Sequence, residues 1–224
     1  MIRSQLIHIW DIWIRLFHWT LAASVGFLLY SGLTGNLFFD WHKDVGEFVL
    51  LLIIFRLVWG LVGSSNASLS GLLKSPREGF QHIKQLARRQ VPQEREHNAA
   101  GGWAVLAMIL IIGTQAVTGL FIADEDEFVE GALYANASAD LADLMYRIHH
   151  INADIIKIIL ILHIGMILIY ALYSKRNLVL PMITGKIHWT SQEQPPTIFI
   201  RQWWVGVPVL LACIAIVGRI TGWY

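Results

Sequence analysis

Five long apolar stretches alternate with polar segments along the chain. They run approximately over residues 12–33, 45–62, 103–123, 149–173 and 203–220. The hydrocarbon core of a bilayer is roughly 30 Å thick, which an α-helix of about 20 residues crosses. The pattern therefore predicts five membrane-spanning helices, of which the fifth is the shortest. The first stretch is not read as a signal peptide, because no small-residue cleavage site follows it and the pattern of spans continues.

The composition agrees with this pattern. Hydrophobic residues make up 55% of the 224 residues and charged residues only 15%, whereas soluble domains carry about 25% charged residues. These proportions exclude a disordered chain, a nucleic-acid-binding protein and an ordinary soluble enzyme. The single cysteine, Cys213, excludes a disulfide framework and a cysteine-pair metal site. A C-x-x-C-H motif is also absent from the sequence, so no covalently attached c-type haem is expected.

Charged residues are divided between alternating loops. The basic ones follow the second and fourth stretches: Lys74, Arg77, Lys84, Arg88, Arg89, Arg95, Lys175, Arg176, Lys186 and Arg201. The loop over residues 123–146 has no Lys or Arg and carries seven acids: Asp124, Glu125, Asp126, Glu127, Glu130, Asp140 and Asp143. Because Lys and Arg accumulate on the cytoplasmic side of a membrane, we expect the N-terminus and the 63–102 loop to be cytoplasmic. The acidic loop then faces outward.

Tryptophans cluster near the ends of the predicted spans. They are Trp10, Trp13, Trp41, Trp59, Trp103, Trp189, Trp203, Trp204 and Trp223. This placement favours an aromatic belt at the two membrane surfaces.

A short amphipathic helix is predicted over residues 76–89 of the basic loop. Ser75 can cap it, Pro76 occupies its first position, and Glu78 lies three residues after the cap. Its apolar stripe is Phe80, Ile83, Leu86 and Ala87, and its cations off the stripe are Lys84, Arg88 and Arg89. Such a helix suits the anionic inner leaflet, and the alternative is a helix that binds a protein partner.

Histidines inside the spans carry the strongest chemical signal. They are His18, His42, His149, His150 and His163. Ionisable side chains in a membrane are costly and mark functional sites. A single intramembrane histidine can also be merely hydrogen-bonded to a neighbour, and both interpretations are open for any one of them.

The spacing of the histidines favours paired ligands. His149 and His163 are 14 residues apart, which places them within roughly 40° of one helix face and about 21 Å apart along the axis. His150 lies about 100° away and is the poorer partner for His163. His18 matches His163 in depth, and His42 matches His149 at the outer side. The pairs His18–His163 and His42–His149 are what two b-type haems need in a four-helix bundle.

Other residues on these helices fit the same two levels. Gly32, 14 residues after the first histidine, would let a flat macrocycle approach the backbone at the outer level. Arg56, 14 residues after the second, either meets a haem propionate at the inner level or snorkels to the inner surface. Gly113 and Gly119 are either haem contacts or helix-packing positions.

Four sequence motifs resemble the prokaryotic di-haem cytochrome b561 family, which includes the cytochrome b subunits of nickel–iron hydrogenases. The motifs are L-F-H-W-T-L around residue 18, W-H-K-D-V-G…F-R-L-V-W-G-L-V-G over 41–63, H-N-A-A-G-G-W over 97–103 and I-H-H-I-N-A-D…L-H-I-G over 148–165. The resemblance covers roughly residues 5–185. It implies haem ligands at His18, His42, His149 and His163, in agreement with the spacing. His150 stands where relatives often have an acidic residue.

The resemblance also implies an architecture and a function. We expect a di-haem transmembrane bundle over residues 1–185 and a C-terminal extension over 186–224 that carries the fifth helix. The implied function is electron transfer in the bacterial inner membrane, between a quinone and a periplasmic redox protein such as a c-type cytochrome or a dehydrogenase or hydrogenase subunit. Arg95, His97 and Asn98 are candidates for a quinone site, although His97 and Asn98 could simply cap the third helix.

Two other functions are considered. Superoxide oxidase activity is found in the same family, but the acidic outer loop should repel an anion and attract a basic protein. A metal-ion transporter could use the histidines and acids, but transporters have broken helices near mid-membrane. Within the spans only the fifth contains a proline, Pro208. The sequence therefore favours a quinone-linked cytochrome b with a basic outer partner.

Overall fold

The computed structural model of the chain describes residues 5–34, 40–90, 97–124, 129–190, 194 and 197–223. Within these ranges the helices are α1 (Ile12–Thr34), α2 (Asp40–Val62), α3 (Pro76–Ala87), α4 (Ala99–Gly119), α5 (Ala139–Leu172), α6 (Val179–Thr184) and α7 (Gly206–Thr221). The strands are β1 (Gln5–His8), β2 (Ala123–Asp124), β3 (Val129–Glu130) and β4 (Lys186–Trp189). β2 and β3 form a small antiparallel hairpin.

The five predicted spans are confirmed. In the part of the chain that is described, five helices are long and apolar enough to cross a membrane: α1, α2, α4, α5 and the segment Trp203–Thr221. The protein is thus an all-α, multi-pass membrane protein.

The fourth span is longer than predicted. α5 begins at Ala139, ten residues before the apolar stretch, because the Ser138 hydroxyl accepts a hydrogen bond from the Leu141 N–H (3.3 Å) and caps it. Asp140 and Asp143 consequently lie on a helix, and the loop predicted over 123–146 is wrong for residues 139–146. The predicted loop acids Glu125, Asp126 and Glu127 lie outside the described residues.

The third span begins earlier than predicted. Asn98 caps α4, since its Oδ1 accepts a hydrogen bond from the Gly101 N–H at 2.7 Å. The capping interpretation of Asn98 is therefore confirmed. Its helix starts at Ala99 and ends at Gly119, four residues ahead of the predicted stretch at each end.

The chain divides into two compact units. The first takes the described parts of residues 1–16, 57–107 and 160–206, and the second takes those of 17–56, 108–159 and 207–224. α1, α2, α4 and α5 each contribute residues to both units.

A buried aspartate organises the start of α1 in the first unit. Asp11 is 2% exposed, and its Oδ1 caps the helix by accepting the Ile14 N–H at 2.9 Å. Its Oδ2 accepts a hydrogen bond from the Trp59 indole Nε1 at 3.2 Å. Trp59 is fully buried, so this tryptophan belongs to the core. The predicted aromatic belt is wrong for Trp59, and also for Trp10 and Trp189, which are buried.

The described part of residues 186–206 also packs in the first unit. β4 pairs antiparallel with β1, in a register that runs from Gln5 opposite Trp189 to His8 opposite Lys186. Gly185 has a φ of +78° and sits so close to the Trp10 carbonyl that a Cβ would lie 2.7 Å from the oxygen. Only glycine fits this turn without strain.

α3 packs on the first unit by a face that overlaps only in part with the apolar stripe predicted for the inner leaflet or a partner. The predicted stripe is Phe80, Ile83, Leu86 and Ala87, whereas the structure buries Gly79, His82 and Leu86. Phe80 is 79% exposed and Ile83 is 55% exposed. Hydrophobicity alone assigned the stripe, but a glycine and a histidine provide the contacts.

In the second unit, α4 packs on α2 and α5 through small and amide residues. A Cβ on Gly113 would meet the Ile53 Cγ2 at 3.5 Å, an ordinary packing distance, so this glycine is a helix-packing position. The Asn152 amide donates to the Ile111 carbonyl and to the Gln115 Oε1, both at 2.8 Å. These hydrogen bonds fix α5 against α4 next to the cavity described below.

Candidate cofactor-binding site

A cavity of about 470 Å³ lies within the second unit, between α1, α2, α4 and α5. Its volume falls in the range of cofactor sites, and its wall is mainly apolar with a few polar groups, as such sites usually are. The predicted ligands His42 and His149 both line it, as does Gly32. The structure therefore brings together the predicted outer-level residues.

The His42 imidazole is oriented by a buried hydroxyl on α1. The Ser31 Oγ lies 2.8 Å from the His42 Nδ1 and donates to the Leu28 carbonyl at 3.2 Å. Because the one hydroxyl proton goes to the carbonyl, the hydrogen between Ser31 and His42 belongs to the imidazole Nδ1. The His42 Nε2 then keeps its lone pair, which is the form that a metal ligand requires.

The His149 imidazole is oriented in the same way by a hydroxyl on α4. The Thr118 Oγ1 lies 3.0 Å from the His149 Nδ1. It donates to the carbonyls of Thr114 (2.9 Å) and Gln115 (3.0 Å). The His149 Nδ1–H is therefore the donor to Thr118, and Nε2 is left with a lone pair.

A glycine follows each hydroxyl and lies against the same imidazole. A Cβ on Gly32 would lie 3.4 Å from the His42 Cε1, and a Cβ on Gly119 would lie 3.3 Å from the His149 Cε1. These separations are tight, so the glycines let each ring approach the helix backbone. Gly119 lines the cavity, and its interpretation as a haem contact stays a prediction.

Other polar groups stand at the cavity wall. Lys43 lines it, and Lys157 does so while paired with Asp154 at 2.5 Å. Glu47 is buried in the wall, and its Oε2 accepts a hydrogen bond from the Trp223 indole Nε1 at 2.5 Å. Glu47 is not among the site residues predicted from the sequence.

His150 also reaches the cavity wall. Its Nδ1–H donates to the Tyr146 carbonyl at 2.9 Å, and its ring lies 4.0 Å from the Tyr146 ring between centroids. These contacts account for the His150 side chain without any ligand.

The predicted inner-level residues are distributed differently. His18 lies on α1 in the second unit, half-buried, with its ring 5.0 Å from that of Trp19. His163 lies on α5 in the first unit and is also half-buried. Their pairing stays a prediction. Arg56 lies on α2 in the second unit and is only 3% exposed.

The predicted quinone candidates have structural roles in the first unit. The His97 carbonyl accepts a hydrogen bond from the Lys74 Nζ at 2.8 Å, and the His97 ring lies 4.8 Å from the Trp10 ring between centroids. Asn98 caps α4 and donates through Nδ2 to the Tyr170 hydroxyl at 3.1 Å. Arg95 lies outside the described residues.

Hydroxyl–glycine dipeptides were the signal that the sequence reasoning missed. Ser31-Gly32 and Thr118-Gly119 lie near the ends of the first and third spans. In each dipeptide the hydroxyl is a hydrogen-bond partner of one imidazole, and the glycine leaves room for that ring beside the helix backbone. Such dipeptides are common in sequences. They indicate a site only when the fold places both of them in contact with histidines.

Comparison with known proteins gives one family. The family model for prokaryotic cytochrome b561 matches residues 9–185, and no curated protein matches the chain. Proteins of this family bind haem b and transfer electrons across membranes. The two imidazoles line one mainly apolar cavity, each with its Nδ1 against a hydroxyl and a glycine beside its ring, and this donor set fits such a group. The chain therefore belongs to the prokaryotic cytochrome b561 family.

Proposed function

We propose that this protein is a di-haem cytochrome that carries electrons between a membrane quinone and a basic redox protein on the outer side of the bacterial inner membrane. The observation that carries the proposal is the cavity of the second unit. Two imidazoles from different helices line it, and a hydroxyl lies within hydrogen-bond distance of the Nδ1 of each. A metal-ligating histidine is usually held in this way through its other ring nitrogen.

His42 and His149 are the proposed axial ligands of the outer haem. When bound, haem b supplies one-electron chemistry by cycling between ferric and ferrous iron. Ser31 and Thr118 hold the imidazoles in one tautomer and orientation, and the apolar wall excludes water. Lys43 supplies a positive charge at the wall for the propionates.

His18 and His163 are the proposed ligands of the inner haem, on the basis of their position along α1 and α5. Burial of Arg56 supports a role toward an inner propionate. A snorkelling arginine would place its guanidinium at the surface, whereas this one is 3% exposed.

The proposed orientation puts the N-terminus in the cytoplasm and the start of α5 on the outer side. There Asp140 lies in the first helical turn, and Asp143 is largely exposed. These acids favour a basic protein over superoxide, which is an anion. α1, α2, α4 and α5 are continuous helices, which speaks against a transporter built on broken helices.

A haem count on the purified protein tests the proposal. Pyridine haemochrome quantification should give two haems b per chain. His149→Ala should remove the outer haem and His163→Ala the inner one, leaving one haem each. His150→Ala is the matched control, because it changes the adjacent residue of the same cavity wall and should keep both haems.

Two results would contradict the proposal. A single haem in the unaltered protein would exclude the two-site arrangement, and an unchanged count in His149→Ala would exclude the outer pair. The quinone step is tested separately, since a reduced quinone should reduce the haem absorbance bands of the purified protein. Failure of that step alone would overturn the quinone while leaving the haem ligands in place.

A further inference from the structure

α3 has three distinct sides, of which only one is used for packing. Gly79, His82 and Leu86 lie on one side and are buried in the first unit. A Cβ on Gly79 would lie 3.7 Å from the Ala100 backbone nitrogen, so the helix backbone runs close to the start of α4.

A second side of α3 is apolar and exposed. At 100° per residue, Phe80, Ile83 and Ala87 fall within about 60° of one another. Phe80 and Ile83 are two of the more exposed large side chains of the first unit. Leu73, just before the helix, is exposed as well. An apolar strip of this kind facing water is unfavourable and marks a binding surface.

A row of cations borders the apolar strip. Arg77, Lys84 and Arg88 fall within about 40° of one another around the helix axis, and all three are exposed. Arg89 is not part of the row, because its guanidinium lies over the Tyr173 ring at 4.2 Å from the centroid. The far side of α3 is polar and carries Glu78, Gln81 and Gln85.

The contacts of α3 place it at the ends of two spans. His82 is hydrogen-bonded to the Tyr170 hydroxyl near the last turn of α5. The Tyr173 hydroxyl, just past that turn, donates to the Ala87 carbonyl at 2.8 Å. The other neighbour is the first turn of α4. α3 therefore lies where the hydrocarbon core gives way to lipid headgroups.

We propose that this exposed face of α3 binds anionic phospholipids. Phe80 and Ile83 enter the acyl region, while Arg77, Lys84 and Arg88 contact the phosphates beside them. An apolar strip flanked by cations is the arrangement by which a helix lies in a charged membrane surface. A protein partner would suit the strip but leaves the cation row at the level of the headgroups unexplained. The inference does not depend on haem binding, and the assignment to the inner leaflet rests on the proposed orientation.

Selective quenching by brominated lipids tests the proposal in the full chain. The only cysteine, Cys213, is buried and is replaced by Ala. Ile83→Cys then carries a bimane fluorophore, and Gln85→Cys carries it on the far side as the matched control. The protein is placed in nanodiscs of one fixed phosphatidylcholine and phosphatidylglycerol mixture. In one sample bromine is on the acyl chains of the neutral lipid, and in the other on those of the anionic lipid at equal mole fraction.

We expect the fluorophore at residue 83 to be quenched more strongly by the anionic brominated lipid than by the neutral one. At residue 85 neither lipid should quench strongly. Lys84→Gln with Arg88→Gln should lower the ratio of the two quenching constants at residue 83 by about fivefold. Lys175→Gln with Lys186→Gln removes the same charge elsewhere and should preserve the ratio.

Several results would overturn the proposal. Equal quenching by the two lipids at residue 83 would mean that this face contacts lipid acyl chains without preferring the anionic lipid. Absence of quenching at residue 83 would exclude the bilayer altogether, and concentration-dependent shielding there would identify a contact between copies of the chain. Unchanged helical circular dichroism verifies that each variant is folded. The haem count is measured in parallel, so its failure is distinguishable from failure of lipid binding.

Discussion

At the scale of single residues, the outer site depends on two hydroxyls as much as on two histidines. An imidazole can ligate through either nitrogen, and the partner of the other nitrogen decides which. Ser31 and Thr118 make this choice for His42 and His149. Both hydroxyls also lie within hydrogen-bond distance of helix carbonyls, an arrangement that favours donation to the carbonyl and acceptance from the imidazole.

Removing one hydroxyl should weaken the outer site without abolishing it. Thr118→Ala removes one of the hydrogen-bond partners of the His149 imidazole and leaves its backbone hydrogen bond to Gln115, and loss of such a partner typically costs about 10–100-fold in metal affinity. We expect the purified variant to lose outer haem on dilution and to show a shifted outer midpoint potential. Optical redox titration and haem release to an excess of apomyoglobin measure the two effects.

Thr118→Ser supplies the control for that experiment. It keeps the hydroxyl and removes one methyl group, so a contribution from the hydrogen bond predicts near-normal haem retention. Equal loss in the Ala and Ser variants would assign the effect to packing and contradict the role given to the hydroxyl.

The glycines of the second unit offer a graded test of the cavity. Within the described part of the chain, a methyl group on Gly26 would meet no neighbouring element within 4 Å. One on Gly113 would meet Ile53 at 3.5 Å, and one on Gly119 would meet the His149 imidazole at 3.3 Å. Gly119→Ala should therefore displace the ring and weaken outer haem binding by about 1–3 kcal/mol, as overpacking does. Gly26→Ala and Gly113→Ala should keep the full haem content.

The haem-to-protein ratio after a fixed dilution ranks the three variants. A ranking in which Gly113→Ala loses as much haem as Gly119→Ala would mean that general helix packing, rather than contact with the imidazole, controls the site.

At the scale of elements, the sequence predicted which segments are helical better than where they begin. Apolar length identified all five spans because it measures transfer into lipid directly. The helix ends depend on polar caps. Ser138 caps α5 well before its apolar stretch begins, and Asn98 caps α4 before its predicted first residue. The packed face of α3 also escaped prediction, because His82 is buried there by its hydrogen bond to Tyr170 rather than by hydrophobicity.

That buried histidine makes the docking of α3 sensitive to pH. Burial, together with the nearby cations Arg176 and Lys74, holds the pKa of His82 below its usual value of 6.5. Because the pKa is lowered in the folded state, the contribution of this histidine to the stability of the docked helix is complete at pH values above 6.5. The stability falls as the pH drops below 6.5, because protonation then favours the undocked helix.

We expect α3 to be cleaved faster by a protease at about pH 5.5 than at about pH 7.5, after correction for the protease's own pH dependence. Mass spectrometry of the fragments locates the cut within residues 76–87. His82→Gln keeps a hydrogen-bonding group for Tyr170 but does not titrate, so its cleavage should be independent of pH over this range. A pH effect that persists in His82→Gln would assign the sensitivity to another group.

At the scale of the whole molecule, a net charge of +1 conceals a strong separation of charge along the chain. The described part of the 63–102 segment is basic, and the start of α5 is acidic. The ligand pairs could be proposed from sequence because helical periodicity converts spacing into depth. Sequence could not predict the roles of the two hydroxyls, the Glu47 carboxylate or Gly119. These roles depend on which helices become neighbours in the fold.

The same separation of charge predicts how the protein should meet its electron partner. If the acids at the start of α5 guide a basic c-type cytochrome, the bimolecular electron-transfer rate should fall as salt rises. The screening length drops from about 10 Å at 0.1 M salt to about 3 Å at 1 M, which removes long-range attraction.

Asp140→Asn should reduce both the electron-transfer rate at low salt and the salt dependence of that rate. Glu78→Gln removes the same charge from the segment predicted to be cytoplasmic and should change neither in proteoliposomes of defined orientation. A rate independent of salt, or equal effects of the two variants measured by stopped-flow absorbance, would mean that the acidic surface does not recruit the partner.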